Sequence, residues 1–173
     1  MSASRTRGFT LIELLVVIAI IGILAGWAVP SFSQLAARNA LDRQADRLWQ
    51  AISATRLEAA KRRVEVHLCP TKDDSTCTNN WQDRWMMFVD ENDDSTLNVG
   101  EALIRRYPAS TGPVRISTNS TDQANGFSYN PSGFTTAAGT FDLCHPDLNS
   151  GNARQIIVSP GRARRTRNDN ASC

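Results

Sequence analysis

The sequence lacks a dominant charge sign and lacks any familiar catalytic signature. Its 19 basic and 17 acidic residues leave a formal charge of +2. That balance excludes a polybasic nucleic-acid wrapper and an acidic disordered tail as descriptions of the whole chain. Lysine is nearly missing, since only Lys61 and Lys72 occur, and the other cations are arginines. Histidine is confined to His67 and His145. There is no G-x-S-x-G elbow, no H-E-x-x-H pair, no Walker loop, and no Cys-His pair with a third member, so an enzyme is not expected. Cysteines at 69, 77, 144 and 173 lack the closely spaced C-x₂-C pairs of zinc sites, and no metal or cofactor is expected.

What is there is unevenly placed. From Asp73 to Glu101 the chain carries eight acids and one base, Arg84, whereas Leu148 to Asn168 carries five arginines and no acid. Residues 1–8 are short, polar and cationic through Arg5 and Arg7, and no charged side chain occurs from Leu14 to Ala37. Phe9 to Phe32 is strongly apolar, and about 20 apolar residues suffice for a helix to cross a bilayer. The preceding cations agree with a cytoplasmic leader. A cleaved secretory signal has the same layout, but Ala25-Gly26-Trp27-Ala28 is a poor small-x-small cleavage site. Glu13, near the start of the apolar run, costs on the order of 2.5–3.5 kcal/mol inside a membrane and therefore implies a partner.

Gly8-Phe9-Thr10-Leu11-Ile12-Glu13-Leu14-Leu15 resembles the type III signal of type IV pilins and type II secretion pseudopilins. The resemblance implies cleavage after Gly8 by a membrane prepilin peptidase and N-methylation of Phe9. It also implies that Glu13 pairs with the N-terminal amine of a neighbouring subunit during assembly. Cleavage would remove Arg5 and Arg7 and bring the side-chain charge from +2 to zero.

Beyond the apolar run, helical spacing continues. Leu41, Ala45, Leu48, Ile52 and Ala59 define one face, Glu58 and Arg62 form a favourable i,i+4 pair, and Pro30 predicts a kink. A helix from Phe9 to about Arg62 would run roughly 80 Å, so its first half belongs to membrane or filament. After Arg63 short alternating runs predict strands at 64–68, 85–89, 102–107, 114–117, 126–129, 140–143, 155–159 and 162–166. Ser159-Pro160-Gly161-Arg162 reads as a type II turn, and the stretch 108–125 as largely surface loop. One long helix followed by antiparallel strands is an α+β architecture. The expected organisation is a leader at 1–8, a transmembrane and filament-core helix half at 9–37, and a globular head at 38–173.

Four cysteines in an exported head favour disulfides, with three connectivities possible; the preferred pairing is Cys69–Cys77 and Cys144–Cys173. In the acidic loop, Asp90, Asn92, Asp94, Asn98 and Glu101 stand at positions 1, 3, 5, 9 and 12 of a calcium-loop pattern. Ser95 occupies the position that needs glycine, so an acidic hairpin loop is the preferred reading. At the C-terminal edge, strand alternation would point Arg162 and Arg164 the same way. With Arg154 on the preceding strand and Arg165 and Arg167 nearby, several guanidiniums could follow a phosphate backbone. No aromatic residue lies between Phe141 and Cys173, so base stacking finds no platform within that stretch.

Further stretches are similar to the FimT-like minor pilins of the GspH/FimT family: Arg56-Leu57-Glu58-Ala59, Leu68-Cys69, Trp85 to Asn92, Gly100-Glu101, and the C-terminal Gly-Arg-x-Arg at Gly161, Arg162 and Arg164. Arg84 stands where that family often has glycine. The resemblance implies the type IV pilin-like fold, a long N-terminal α-helix packed on an antiparallel β-sheet. It implies other major and minor pilins as partners, and residence in the bacterial inner membrane, then in a periplasmic and cell-surface pilus. It also implies non-specific DNA binding for uptake in natural transformation. The rival expectations are a structural subunit of the tip complex that primes pilus assembly, or a GspH-type pseudopilin of type II secretion.

Overall fold

The computed structural model describes residues 9–110, 112–148 and 152–168, with the side chains of residues 26–31 outside the description. The chain separates into two compact units, one up to Ala36 and one from Ala37 onward. Helix α1 (Leu11–Arg62, 52 residues) belongs to both. The kink expected at Pro30 falls on a side chain outside the described ones.

In the first unit, every large apolar side chain from Phe9 to Leu24 is exposed, none below 43%. Isolated soluble domains rarely leave so much apolar surface uncovered. Side chains are continuously described only from Phe9 to Ala25, and among the described residues no helix is long and apolar enough to cross a membrane.

In the second unit α1 becomes amphipathic in the expected register. Leu41, Ala45, Leu48, Ile52 and Ala59 are completely buried, because their spacing of three and four residues places them on one stripe. Glu58 closes its pair with Arg62 at 2.7 Å. Two four-stranded antiparallel sheets share the core with this stripe. The first runs β3 (Leu103–Tyr107), β2 (Arg84–Val89), β1 (Val66–Thr71), β5 (Phe127–Tyr129). The second runs β4 (Arg115–Thr118), β6 (Gly139–Cys144), β7 (Ala153–Ser159), β8 (Arg162–Asn168). Strand β1 continues through Pro70, which sequence alone argues against. The Pro70 carbonyl accepts the Thr78 N–H at 2.7 Å, so its donor-less nitrogen faces away from β2. On that side β5 covers only Val66 to Leu68, and proline is tolerated on such an edge.

Two further details differ from expectation. A short helix, α2 (Thr121–Ala124), interrupts the expected surface loop, and its Gln123 is completely buried. The Gln123 carbonyl accepts the Trp81 indole N–H at 3.1 Å, and its side-chain amide donates to the Ala137 carbonyl at 2.8 Å. The β7–β8 turn is not type II, because Gly161 lies outside the left-handed region that such a turn requires. Gly161 instead lies close to a side chain, and a Cβ there would stand 3.1 Å from the Phe134 ring, which would have to shift by a few tenths of an ångström.

The Cys69–Cys77 disulfide forms as expected. Cys144 is not free, and Cys173, its expected partner, lies outside the described residues.

Candidate functional site

Strand β8 carries the arginine-rich segment and, among the described residues, pairs with β7 alone as an edge strand. Alternation splits its side chains between two faces. Ala163, Arg165 and Arg167 point to the side where Ile156 and Val158 of β7 enter the core, opposite Val158, Ile156 and Arg154 respectively. Arg162, Arg164, Thr166 and Asn168 point to the other side. The six positions expected to act together therefore do not form one surface.

On the core-facing side the arginines meet acids from α1. The Arg154 guanidinium donates to both Asp42 carboxylate oxygens, at 2.6 and 3.2 Å, and to the Asn152 carbonyl at 3.0 Å. Arg154 is only 9% exposed, and a charge so placed is costly unless it is paired. Arg165 pairs with Asp46, one helical turn beyond Asp42. Arg167 joins Asp42, Arg154, Arg165 and Thr166 around a cleft of about 230 Å³. Two carboxylates thus answer three guanidiniums, leaving this side weakly positive. In the sequence, only the i,i+4 spacing of Asp42 and Asp46 hints at a shared role.

On the outer side Arg162 and Arg164 are exposed and make no ion pair among the described residues. Gly161 precedes the strand and lies against the Phe134 ring, while the Thr135 N–H donates to the Pro160 carbonyl at 2.8 Å. These contacts tie the base of the arginine strand to the Phe134–Thr135 segment. The same face carries exposed Arg115 at its far end, opposite Cys144, a cation that sequence reasoning did not single out. Asp142 lies between, accepting hydrogen bonds from the Gln155 and Asn168 amides, both at 3.1 Å.

The acidic loop is organised by its own donors. Asp90, completely buried, accepts the N–H groups of Asp94 and Ser95 at 3.2 and 3.0 Å. Burial pushes its pKa up, and those two N–H bonds oppose the shift. Asp94 accepts from the Asn98 and Asn92 amides and from the Thr96 N–H, and the Asn98 bond leads in holding its pKa down. Glu101 accepts the N–H groups of Glu91 and Asn98. Asp90, Asn92, Asp94, Asn98 and Glu101 are thus brought together as a hydrogen-bonded hairpin. Ser95 adopts φ 60°, the left-handed conformation that the calcium pattern assigns to glycine. Arg84 opens β2 and donates to Asp74 at 3.3 Å and to the Lys72 carbonyl.

His67, Cys69 and Cys77 place three potential ligand atoms within 4.8 Å of one another. The two sulfurs are joined in the disulfide, however, which leaves no thiolate for zinc.

At the start of α1, the Glu13 N–H donates to the Thr10 hydroxyl at 3.3 Å. Thr10-x-x-Glu13 is thus the spacing of a capping box. Glu13 is exposed in the first helical turn, where the helix dipole favours an anion. Phe9 is exposed beside it, while Gly8 lies outside the described residues.

This architecture is found in known proteins. The family described as type II transport protein GspH matches residues 44–161, and the prokaryotic N-terminal methylation motif matches residues 3–29. The pilin-like protein PilA1 of Thermus thermophilus is 31% identical over 163 residues, covering 91% of this chain and 97% of that protein. The type IV major pilin protein PilA of Myxococcus xanthus is 63% identical over 35 residues, covering 20% of this chain and 16% of PilA. The type IV minor pilin FimU of Pseudomonas aeruginosa superposes with a TM-score of 0.58 at 18% identity, over 73% of this chain and 88% of FimU. That likeness concerns the fold. By its profile over residues 44–161 and its near-full-length pilin-like relative, this chain belongs to the GspH family of pilin-like proteins, which are structural proteins.

Proposed function

We propose that the chain is a minor pilin that binds DNA non-specifically through Arg162 and Arg164 for uptake in natural transformation. The supporting observation is that both guanidiniums are exposed on one face of an edge strand and are unpaired among the described residues, unlike Arg154 and Arg165. Planar guanidiniums match phosphate oxygens bidentately. Gly161 shapes the turn, Arg167 adds a cation at the edge, and Arg154 and Arg165 orient the strand through α1.

Assembly precedes recognition in this reading. The chain waits in the inner membrane through 9–37, the prepilin peptidase cuts after Gly8, and Phe9 becomes the methylated N-terminus. Glu13 then meets the amine of a neighbouring pilin, and the exposed apolar surface from Phe9 to Leu24 is covered by other subunits. The head from residue 38 emerges into the periplasm and onto the cell-surface pilus. A structural role in the tip complex, or in a type II secretion pseudopilus, needs only this first part.

Arg162→Gln/Arg164→Gln is expected to weaken duplex binding by about tenfold or more at low salt, equivalent to about 1.4 kcal/mol. The log–log salt dependence should flatten by about 0.9 per lost phosphate contact. Asp46→Asn, which releases Arg165, is expected to act oppositely, with several-fold tighter binding and a steeper slope. Gel shifts of the full chain in detergent at two salt concentrations measure both. In cells, normal piliation with lost transformation supports uptake; lost piliation in the double variant supports the priming role.

A further inference from the structure

The arginine segment itself contains no aromatic side chain, but the fold brings one to it. Trp49 of α1, 38% exposed, lines a groove of about 340 Å³ together with Asp46, Ala163, Arg164 and Arg165. Trp81 and Trp85, by contrast, are at most 2% exposed. They are engaged with each other, with Phe127, Phe141 and Tyr107, and with the Arg47 guanidinium. Among the described residues no ring or guanidinium stacks on Trp49.

An indole left partly bare on a helix is ordinarily unremarkable. Here it shares a groove at the open edge of β8 with Arg164, whose side chain, like that of Arg162, leaves the strand on the face away from α1, so indole and guanidiniums flank the edge from its two sides. Among the described residues both arginines are unpaired cations, on an edge that β7 covers from one side. Exposed aromatic rings beside a line of guanidiniums are what a single strand uses, since each base offers a π-face while the backbone needs positive charge. A base paired inside a duplex offers no such face. Asp46, the acid in the groove, is held by Arg165, so the phosphates belong on the Arg162 and Arg164 side and the base on the Trp49 side.

We propose that Trp49 and the open edge of β8 form a base-stacking site. A nucleobase of single-stranded DNA lies on the Trp49 indole while Arg162 and Arg164 hold its flanking phosphates, so the protein distinguishes single strands from duplex. This inference rests on the DNA-binding reading above and adds the strand class and the contact that selects it.

The test uses the full chain in detergent micelles with a short mixed-sequence single strand and with the same sequence as duplex. Trp49→Leu is expected to weaken single-strand binding by about tenfold or more, the equivalent of about 1.4 kcal/mol and within the range for one stacked base. Duplex affinity, its salt slope and the melting temperature should stay unchanged. Trp49→Phe, which keeps a smaller ring, should recover part of the loss. Indole fluorescence should fall on adding the single strand to wild type and not to Trp49→Leu. If Arg162→Gln/Arg164→Gln abolishes binding of both forms while Trp49→Leu leaves single-strand affinity untouched, the stacking site is overturned and the phosphate reading stands. If wild type binds neither form at low salt, both readings fall together.

Discussion

Trp81→Ala is expected to lower the unfolding free energy by about 3–5 kcal/mol. Trp81 sits in the connection between β1 and β2, yet it is only 2% exposed. Its ring meets Phe141 of β6 edge-on at a centroid distance of 4.8 Å and approaches Phe127 of β5 at 6.2 Å. One side chain therefore touches both sheets. Its removal opens a large cavity where the sheets must adapt together, and it takes the indole donor from the Gln123 carbonyl, which keeps only the Gly126 N–H at 3.2 Å among the donors beyond its own helix turn. The lost hydrogen bond adds about 1 kcal/mol. Trp81→Phe restores most of the ring without the donor and should cost clearly less. Trp49→Leu, at a partly exposed site, should change stability by no more than about 0.5 kcal/mol. Chemical denaturation of the three variants checks the ordering. A loss below about 1 kcal/mol for Trp81→Ala would show that the two sheets hold together without it.

Acid is expected to destabilise the fold through His67 by on the order of 3 kcal/mol between about pH 6.5 and pH 4. His67 is 3% exposed. Its Nδ1 is hydrogen-bonded to the Ser128 hydroxyl at 2.8 Å, and its Nε2 has no hydrogen-bond partner among the described residues. Gly126 packs so closely that an added Cβ would stand 2.5 Å from Nε2. Burial pushes the His67 pKa down to about 4. The unfolded chain thus takes up a proton near pH 6.5 that the folded chain refuses until about pH 4. The contribution is fully present above the unfolded pKa and declines as pH falls through that window. Glu65 and Asp90 act in the opposite sense, because burial leads in raising both pKa values, so their protonation favours the folded state at the acid end. Asp90 Oδ2, 3.8 Å from His67 Nδ1, also limits the loss once the ring is charged. His67→Gln removes the titrating group and should flatten the stability curve between pH 7 and 4.5. Parallel curves for variant and wild type would assign the acid sensitivity elsewhere.

Much of the fold was legible because its signals are local. The stripe from Leu41 to Ala59 follows from helical spacing, and β2, β3, β6 and β7 follow from short apolar runs between turn residues. The Cys69–Cys77 bridge closes a short loop. Errors arose where a distant contact overrode local preference. Residue types at Pro160-Gly161 predict a type II turn, but Gly161 keeps out of the left-handed region and packs against the Phe134 ring. The polar residues after the 114–117 strand read as surface loop, yet Gln123 is buried because Trp81 and Ala137 satisfy its polar atoms. His67 alternates like a surface residue and is buried by its partner strands.

The candidate site divides the same way. The sequence by itself determined the capped, acid-bearing start of the apolar helix, the α+β order of elements, and the placing of Arg162 and Arg164 on one strand face. These depend on neighbours a few residues away. Only the tertiary structure decided which arginines are available. Arg154 is neutralised by Asp42, 112 residues earlier, Arg165 is neutralised by Asp46, and Trp49 arrives beside Arg164 from the same helix. Charge pairing and stacking act through a few ångströms of space, and a linear pattern carries no measure of that distance until the helix is laid against the sheet.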